Sequence, residues 1–257
     1  NDVVYLVTTE HTPETPLFKG GLARAINATT GKEIWTISEY TGEFQVFSYA
    51  AADGYNTWFN GYDAQIYVVG RGPSQTTVTA PNAGLASGQP VVIRGTVTDV
   101  SAGTKQNEQA SNFPNGVPVC SDASMQAWMG YVYQQQPEPT NFTGVPVNIY
   151  VLDSNHNYRQ IGTATTNENG MYTLTWTPDI AGNYTVYANF AGTNGYWPSS
   201  DTTSFTAMQA SATAAPTATP LSGVATQTAL EYGIVAIIIV IIIIGAVLAL
   251  LLTRKHP

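Results

Sequence analysis

GVPVNIYVLDSNHNYRQIGTATTNENGMYTLTWTPDIAGNYTVYANFAG, residues 144–192, is the stretch whose reading decides the fold. Val145, Val147, Ile149 and Val151 alternate with Pro146, Asn148, Tyr150 and Leu152. A period of two places the first set on one face of a strand and the second on the other. Asp153 to Asn157 (DSNHN) is turn chemistry, because Asn and Asp tolerate the left-handed region and bond to nearby backbone. Asn167 to Gly170 makes another turn, after which Tyr172, Leu174 and Trp176 alternate with Thr173, Thr175 and Thr177. Pro178 to Gly182 interrupts the pattern, and Tyr184, Val186, Ala188 and Phe190 resume it. Trp176 shares a face with Tyr172 and Leu174 and is expected to be buried, whereas Asn183 and Thr185 point outward. Upstream, Val91, Ile93 and Val97 supply another strand, and Phe205 sits in a last short one. Short strands separated by turn signals at intervals of about 8–12 residues predict a β-sandwich.

Outward from this stretch the chain divides into zones. Residues 1–73 are short apolar runs punctuated by Gly, Asn and Asp, and residues 74–207 hold the sandwich with an insertion at 105–139. In that insertion Met125, Trp128, Met129 and Val132 fall at i, i+3, i+4 and i+7, the face of a short amphipathic helix. Ser121 or Asp122 is placed to cap it and Pro137 to stop it. Such a stripe has to be covered, either by the sandwich edge and the N-terminal zone or by a partner, which makes those four residues a candidate interface.

Residues 208–229 form an Ala/Thr/Ser/Pro tract without aromatic residues, a stalk spanning at most about 3.1 Å per residue if extended. Residues 230–252 are expected to form a transmembrane helix. From Tyr232 to Leu252 there is no charge and no proline, and about twenty apolar residues suffice to cross a bilayer. The tail, 253–257, is basic (TRKHP), while Glu231 flanks the other end. Positive residues stay inside, so the tail is expected in the cytoplasm and the body outside the plasma membrane, extracellular or pseudoperiplasmic. With no export signal before Asn1, the sequence is expected to be the C-terminal part of a longer precursor or a processed product.

Charge and motifs narrow the function classes. Of 9 Lys and Arg, Arg254 and Lys255 lie in the tail, so the body opposes the rest to 17 acids. Nucleic acid is not an expected partner, because phosphate binding needs a basic stripe. Cys120 is the lone cysteine, which excludes an internal disulfide, a CxxCH haem attachment and a thiolate zinc site. His11, His156 and His256 lie far apart, and no GxSxG, Walker A or HExxH pattern occurs. Asp153, Asn155 and Asn157 have the spacing of calcium-loop ligands but lack the glycine and the distal Glu, so a hairpin turn is the better reading. Asp63 in residues 60–63 reads the same way. No catalytic, cofactor-binding or metal-ligating residue is assigned, and no enzyme is expected. Asn27, Asn141 and Asn183 stand in Asn-x-Thr sequons, legitimate N-glycosylation positions on an exported surface.

Two resemblances to known families add to this. Residues 144–192 resemble the Ig-like modules of bacterial and archaeal surface proteins, in which a GVPV strand precedes NGxY and GxYTVxAxFxG strands. Ala25 to Trp35 (AINATTGKEIW) closely resembles the tryptophan-docking repeat AxDxxTGKxxW of quinoprotein-like (PQQ-type) β-propellers. Ala25, Thr30, Gly31, Lys32 and Trp35 match, and Asn27 stands where Asp is usual. The resemblance implies a tight turn at Thr30 to Lys32, Trp35 packed between blades, and residues 51–73 as closing strands of a blade. A propeller needs at least about four blades, so the remainder is expected upstream. The calcium, axial Asp and vicinal cysteines of quinoprotein dehydrogenases map onto nothing here.

The expected class is therefore all-β: a partial propeller blade region plus an Ig-like sandwich, with one C-terminal transmembrane helix. The expected function is that of an archaeal-type membrane-anchored surface protein without a cofactor. It would display its ectodomain for adhesion, envelope architecture, or binding of a surface protein or glycan. The alternative is the C-terminal part of a membrane-tethered PQQ-type oxidoreductase with its active site upstream.

Overall fold

The computed structural model describes residues 2–8, 20–40, 49–81, 83–209 and 227–254. They fall in two compact units, 1–211 and 212–257.

The first unit opens with two small antiparallel sheets. Strands β1 (Val3–Thr8), β2 (Leu22–Asn27) and β3 (Glu33–Ser38) form one, in that order. Strands β4 (Ala50–Ala52), β5 (Tyr55–Asn60) and β6 (Gln65–Val69) form the other. Local chemistry makes their turns. Asp53 and Gly54 both take positive φ, 53° and 83°, as a two-residue hairpin of that twist requires. Ala23 and Ala25 of β2 and Trp58 of β5 are buried between the sheets. The described residues thus contain two three-stranded sheets and no closed propeller.

The rest of this unit is a sandwich. Its first sheet is built on β9 (Val91–Asp99), which pairs with β7 (Ser74–Thr76), β10 (Val117–Pro118) and β13 (Met171–Trp176). The second runs β12-β11-β14-β15-β8, from β8 (Leu85–Ala86), β11 (Pro146–Leu152), β12 (Tyr158–Thr165), β14 (Gly182–Phe190) and β15 (Ser199–Met208). Alternation sets the faces as the sequence predicts: Val147, Ile149 and Val151 are fully buried beside Tyr184, Val186 and Ala188. Val91, Ile93, Val97 and Tyr172 meet them from the first sheet in one core. The strand holding Phe205 is not short; it runs ten residues along β14. Trp176 sits on the expected face but is only half-buried. It lies on the core margin, edge-on to Tyr184 at 5.3 Å, with the Arg159 guanidinium 5.9 Å from its ring centroid.

The insertion belongs to the sandwich. It contributes β10, a 3-10 turn at Ala102–Lys105, and helices α1 (Asn107–Asn112) and α2 (Met125–Gln134). The N-cap of α2 is Ser124, not Ser121 or Asp122, and its hydroxyl accepts the N–H of Thr143 at 2.8 Å instead of capping the helix. The helix ends at Gln135, in the left-handed region, two residues before Pro137.

The second unit contains α3, Gln227–Thr253. Its 27 residues rise about 40 Å, more than a hydrocarbon core of about 30 Å. It begins inside the tract assigned as stalk, so the helix is longer than 230–252. Stalk residues 210–226 and tail residues 255–257 lie outside the described residues, as does His11.

Candidate functional site

The sequence singled out three places, and the structure gives each a geometry. At the β2–β3 turn, the Asn27 Oδ1 accepts N–H bonds from Thr29 (3.0 Å) and Thr30 (2.8 Å). An Asn side-chain oxygen accepts these bonds as a carboxylate would, which closes the turn. Gly31 takes φ of 69°, in the left-handed region that a glycine enters without cost. The Lys32 N–H reaches Thr30 Oγ1 at 3.4 Å. Beyond the turn, Trp35 pairs with Ala25 across the strands and stacks on Trp58 of the second sheet, with ring centroids 6.3 Å apart. Tyr5, Tyr49 and Tyr67 extend this aromatic layer. These residues therefore make a turn and an inter-sheet contact.

The second place is the stripe on α2. Trp128 and Val132 are buried in the sandwich core, and Met125 and Met129 pack against that core half-buried. Trp128 meets Phe142 edge-on at 4.7 Å and Phe113 at 5.8 Å, and its Nε1 donates to Pro118 O at 3.0 Å. Phe113, in the insertion, and Phe142, just beyond its end, pack on Trp128, so the stripe faces the sandwich core. The opposite side of α2 faces the small sheets. Gln126 bonds to the backbone of Thr36 through both ends of its amide, and Gln134 Nε2 donates to Ser38 O at 3.0 Å. Cys120 is buried behind this helix, and burial pushes its thiol up to about 12. It is not poised as a nucleophile.

The third place is the Asp153 loop. Burial works against its charge, but N–H bonds from Asn157 and Asn155 and the Arg159 guanidinium outweigh that and hold the carboxyl below its ordinary value. Arg159 Nη1 lies 2.7 Å from Asp153 Oδ2 and its Nη2 bonds Asp179. Every oxygen of Asp153 is committed to its own loop and to Arg159, a turn and not a cation loop. Asp63 is used similarly, by the Gln65 N–H (3.1 Å) and the Tyr67 hydroxyl (2.7 Å). Of the sequons, Asn141 and Asn183 are exposed, while Asn27 is half-exposed with its Oδ1 engaged in the turn.

Two features escaped the sequence reading. Glu39, just past β3, is fully buried with neither carboxylate oxygen hydrogen-bonded among the described residues, and burial raises it to about 7. Tyr150, Tyr158 and Tyr187 gather on the outward face of the second sheet; alternation already turned Tyr150 outward, but strand order was needed to bring the other two beside it.

α3 is long and apolar enough to cross a membrane, and none of its residues is buried in the protein. Its length and its apolar composition on every face are those that a bilayer span requires.

No family model matches the sequence, and no curated protein matches it. Among solved structures the chain is similar to one titled "Structures of Clostridium thermocellum CbhA fibronectin(III)-like modules". That match has 11% identity and a TM-score of 0.31, and covers 73% of this chain and 85% of that one. The sandwich assignment rests on the strand pairing described above.

Proposed function

We propose that this protein is a non-enzymatic surface protein, held in the plasma membrane by α3, that displays its β-rich body outside the cell for adhesion, envelope architecture or ligand binding. The observation that carries the reading is the run from Tyr232 to Leu252 within α3, uncharged on every face, following a body made of sheets. Arg254 at the helix end and the acidic balance of the body support an exterior body and a cytoplasmic tail. The test is extraction. Full-length protein should stay with membranes in alkaline carbonate, and a chain lacking residues 229–257 should be released. A membrane-impermeant amine reagent on intact cells should label Lys32 and Lys105. Retention of the truncated chain, or protection of both lysines, would overturn the reading.

A second reading has one observation in its favour: Trp35 packs between two three-stranded sheets after a Thr-Gly-Lys turn, as the quinoprotein-like repeat implies. On that reading the chain belongs to a membrane-tethered PQQ-type oxidoreductase. The reading frame ahead of Asn1 decides it. A ring of blades with an axial Asp, calcium ligands and adjacent cysteines supports the enzyme; docking repeats alone support display.

A further inference from the structure

The second sandwich sheet turns one whole face to solvent. On β11, β12, β14 and β15 the outward positions carry Tyr, Asn, Gln, Thr and Ser, with Pro146, Leu152 and Met208, and no charged residue. The one charged side chain on β12, Arg159, turns instead to Asp153 and Asp179 at the core margin. In a chain of net charge −8, a face this size without charge selects neither a cationic nor an anionic partner.

Toward its β12 edge three tyrosines from three neighbouring strands form a cluster. Tyr158 lies parallel to Tyr150, centroids 5.2 Å apart at 4°, and edge-on to Tyr187 at 5.5 Å and 73°. Tyr158 is 54% exposed, and the three hydroxyls have no hydrogen-bond partner among the described residues. Beside them Asn148, Gln160 and Thr163 hold one another: Thr163 Oγ1 donates to Asn148 Oδ1 at 2.8 Å and Gln160 Nε2 to Thr163 Oγ1 at 3.0 Å. Mutual packing fixes the rings before any ligand arrives, which lowers the entropy lost on binding.

We propose that this face is a binding platform for an external neutral glycan, a chain of uncharged pyranose units. The proposal deepens the surface-display reading and rests on it. A pyranose has one face of C–H bonds, which packs on the electron-rich face of an aromatic ring, and a rim of hydroxyls. Amides and phenols, each able to donate and accept, suit that rim. Nucleic acid offers stacking as well, but its phosphates would meet no cation here.

The test uses the full chain in nanodiscs, made in a host without N-glycosylation so that Asn183, exposed on the same face, carries no sugar of its own. Cellohexaose, laminarihexaose, mannohexaose and chitohexaose are the neutral probes, and a heparin hexasaccharide is the charged control. Saturable binding of at least one neutral probe is expected by saturation-transfer NMR and calorimetry. Tyr158→Ala should weaken it about tenfold or more and Tyr158→Trp should retain it, with the melting temperature lowered by no more than a few degrees in either. Absence of binding to all four neutral probes, unchanged binding in Tyr158→Ala, or preference for heparin would overturn the proposal. Extraction and surface labelling are independent of this experiment, so a correctly anchored, exposed chain that ignores all four glycans fails this inference alone.

Discussion

Gln126 on α2 completes the exposed edge of β3: its Oε1 accepts the Thr36 N–H at 3.0 Å and its Nε2 donates to the Thr36 carbonyl. One side chain thereby satisfies the donor and acceptor that an edge strand leaves open, and a neighbouring strand cannot pair at that point. With Gln134 on Ser38 O, it ties the small sheets to the sandwich through the insertion.

Loss of that tie should be local. Gln126→Ala is expected to cost about 1 kcal/mol, the net worth of an ordinary hydrogen bond or two. Hydrogen exchange at the Thr36 amide should accelerate while β11 and β14 stay protected. Uniform acceleration across both regions would show that they unfold as one unit.

Trp128→Ala should be far more damaging, by about 3–5 kcal/mol, because it empties a site enclosed by Phe113 and Phe142. Cys120 provides the readout. Its buried thiol should resist alkylation at pH 8 in the native chain and react quickly in the variant. Equal labelling rates would mean that the helix does not guard the thiol.

The face assignment of β13 can be checked by a pair of substitutions. Trp176 is half-buried against Tyr184 and Phe205, so Trp176→Ala is expected to cost about 2–3 kcal/mol, below the range for full burial. Thr175 points outward, and Thr175→Ala should change stability by no more than about half a kcal/mol. Chemical denaturation of both variants measures the difference, and comparable losses would refute the register.

Glu39 should make stability depend on pH. Burial raises its folded value to about 7 from an ordinary 4.5, so the folded chain holds its proton over a range in which the unfolded chain releases it. Stability from this group is fully present below pH 4.5 and is lost as pH rises through 7, a swing of about 3 kcal/mol. Tyr49 faces it, held above its ordinary value by burial first and by Tyr5 and Glu39 after; no cation pairs with Glu39 among the described residues. Glu39→Gln should flatten melting temperature against pH between 5 and 8. A variant as pH-dependent as the parent would show that the slope originates elsewhere.

The sequence by itself determined the strand faces, the turns and the span. Val147, Ile149 and Val151 are buried because the pleat alternates, Gly31 and Asp53-Gly54 turn because their backbones accept positive φ, and Tyr232 to Leu252 is apolar on all sides. Each of these depends only on residues a few positions apart. Tertiary structure alone decided what covers Trp128, which edge Gln126 closes, and that Tyr150, Tyr158 and Tyr187 form one cluster. It also decided that the Glu39 carboxyl is enclosed, a residue whose sequence neighbours give no sign of burial. These depend on strand order and on contacts between residues as far apart as Thr36 and Gln126. Local periodicity fixes which way a side chain points but carries no information about which neighbour it will meet.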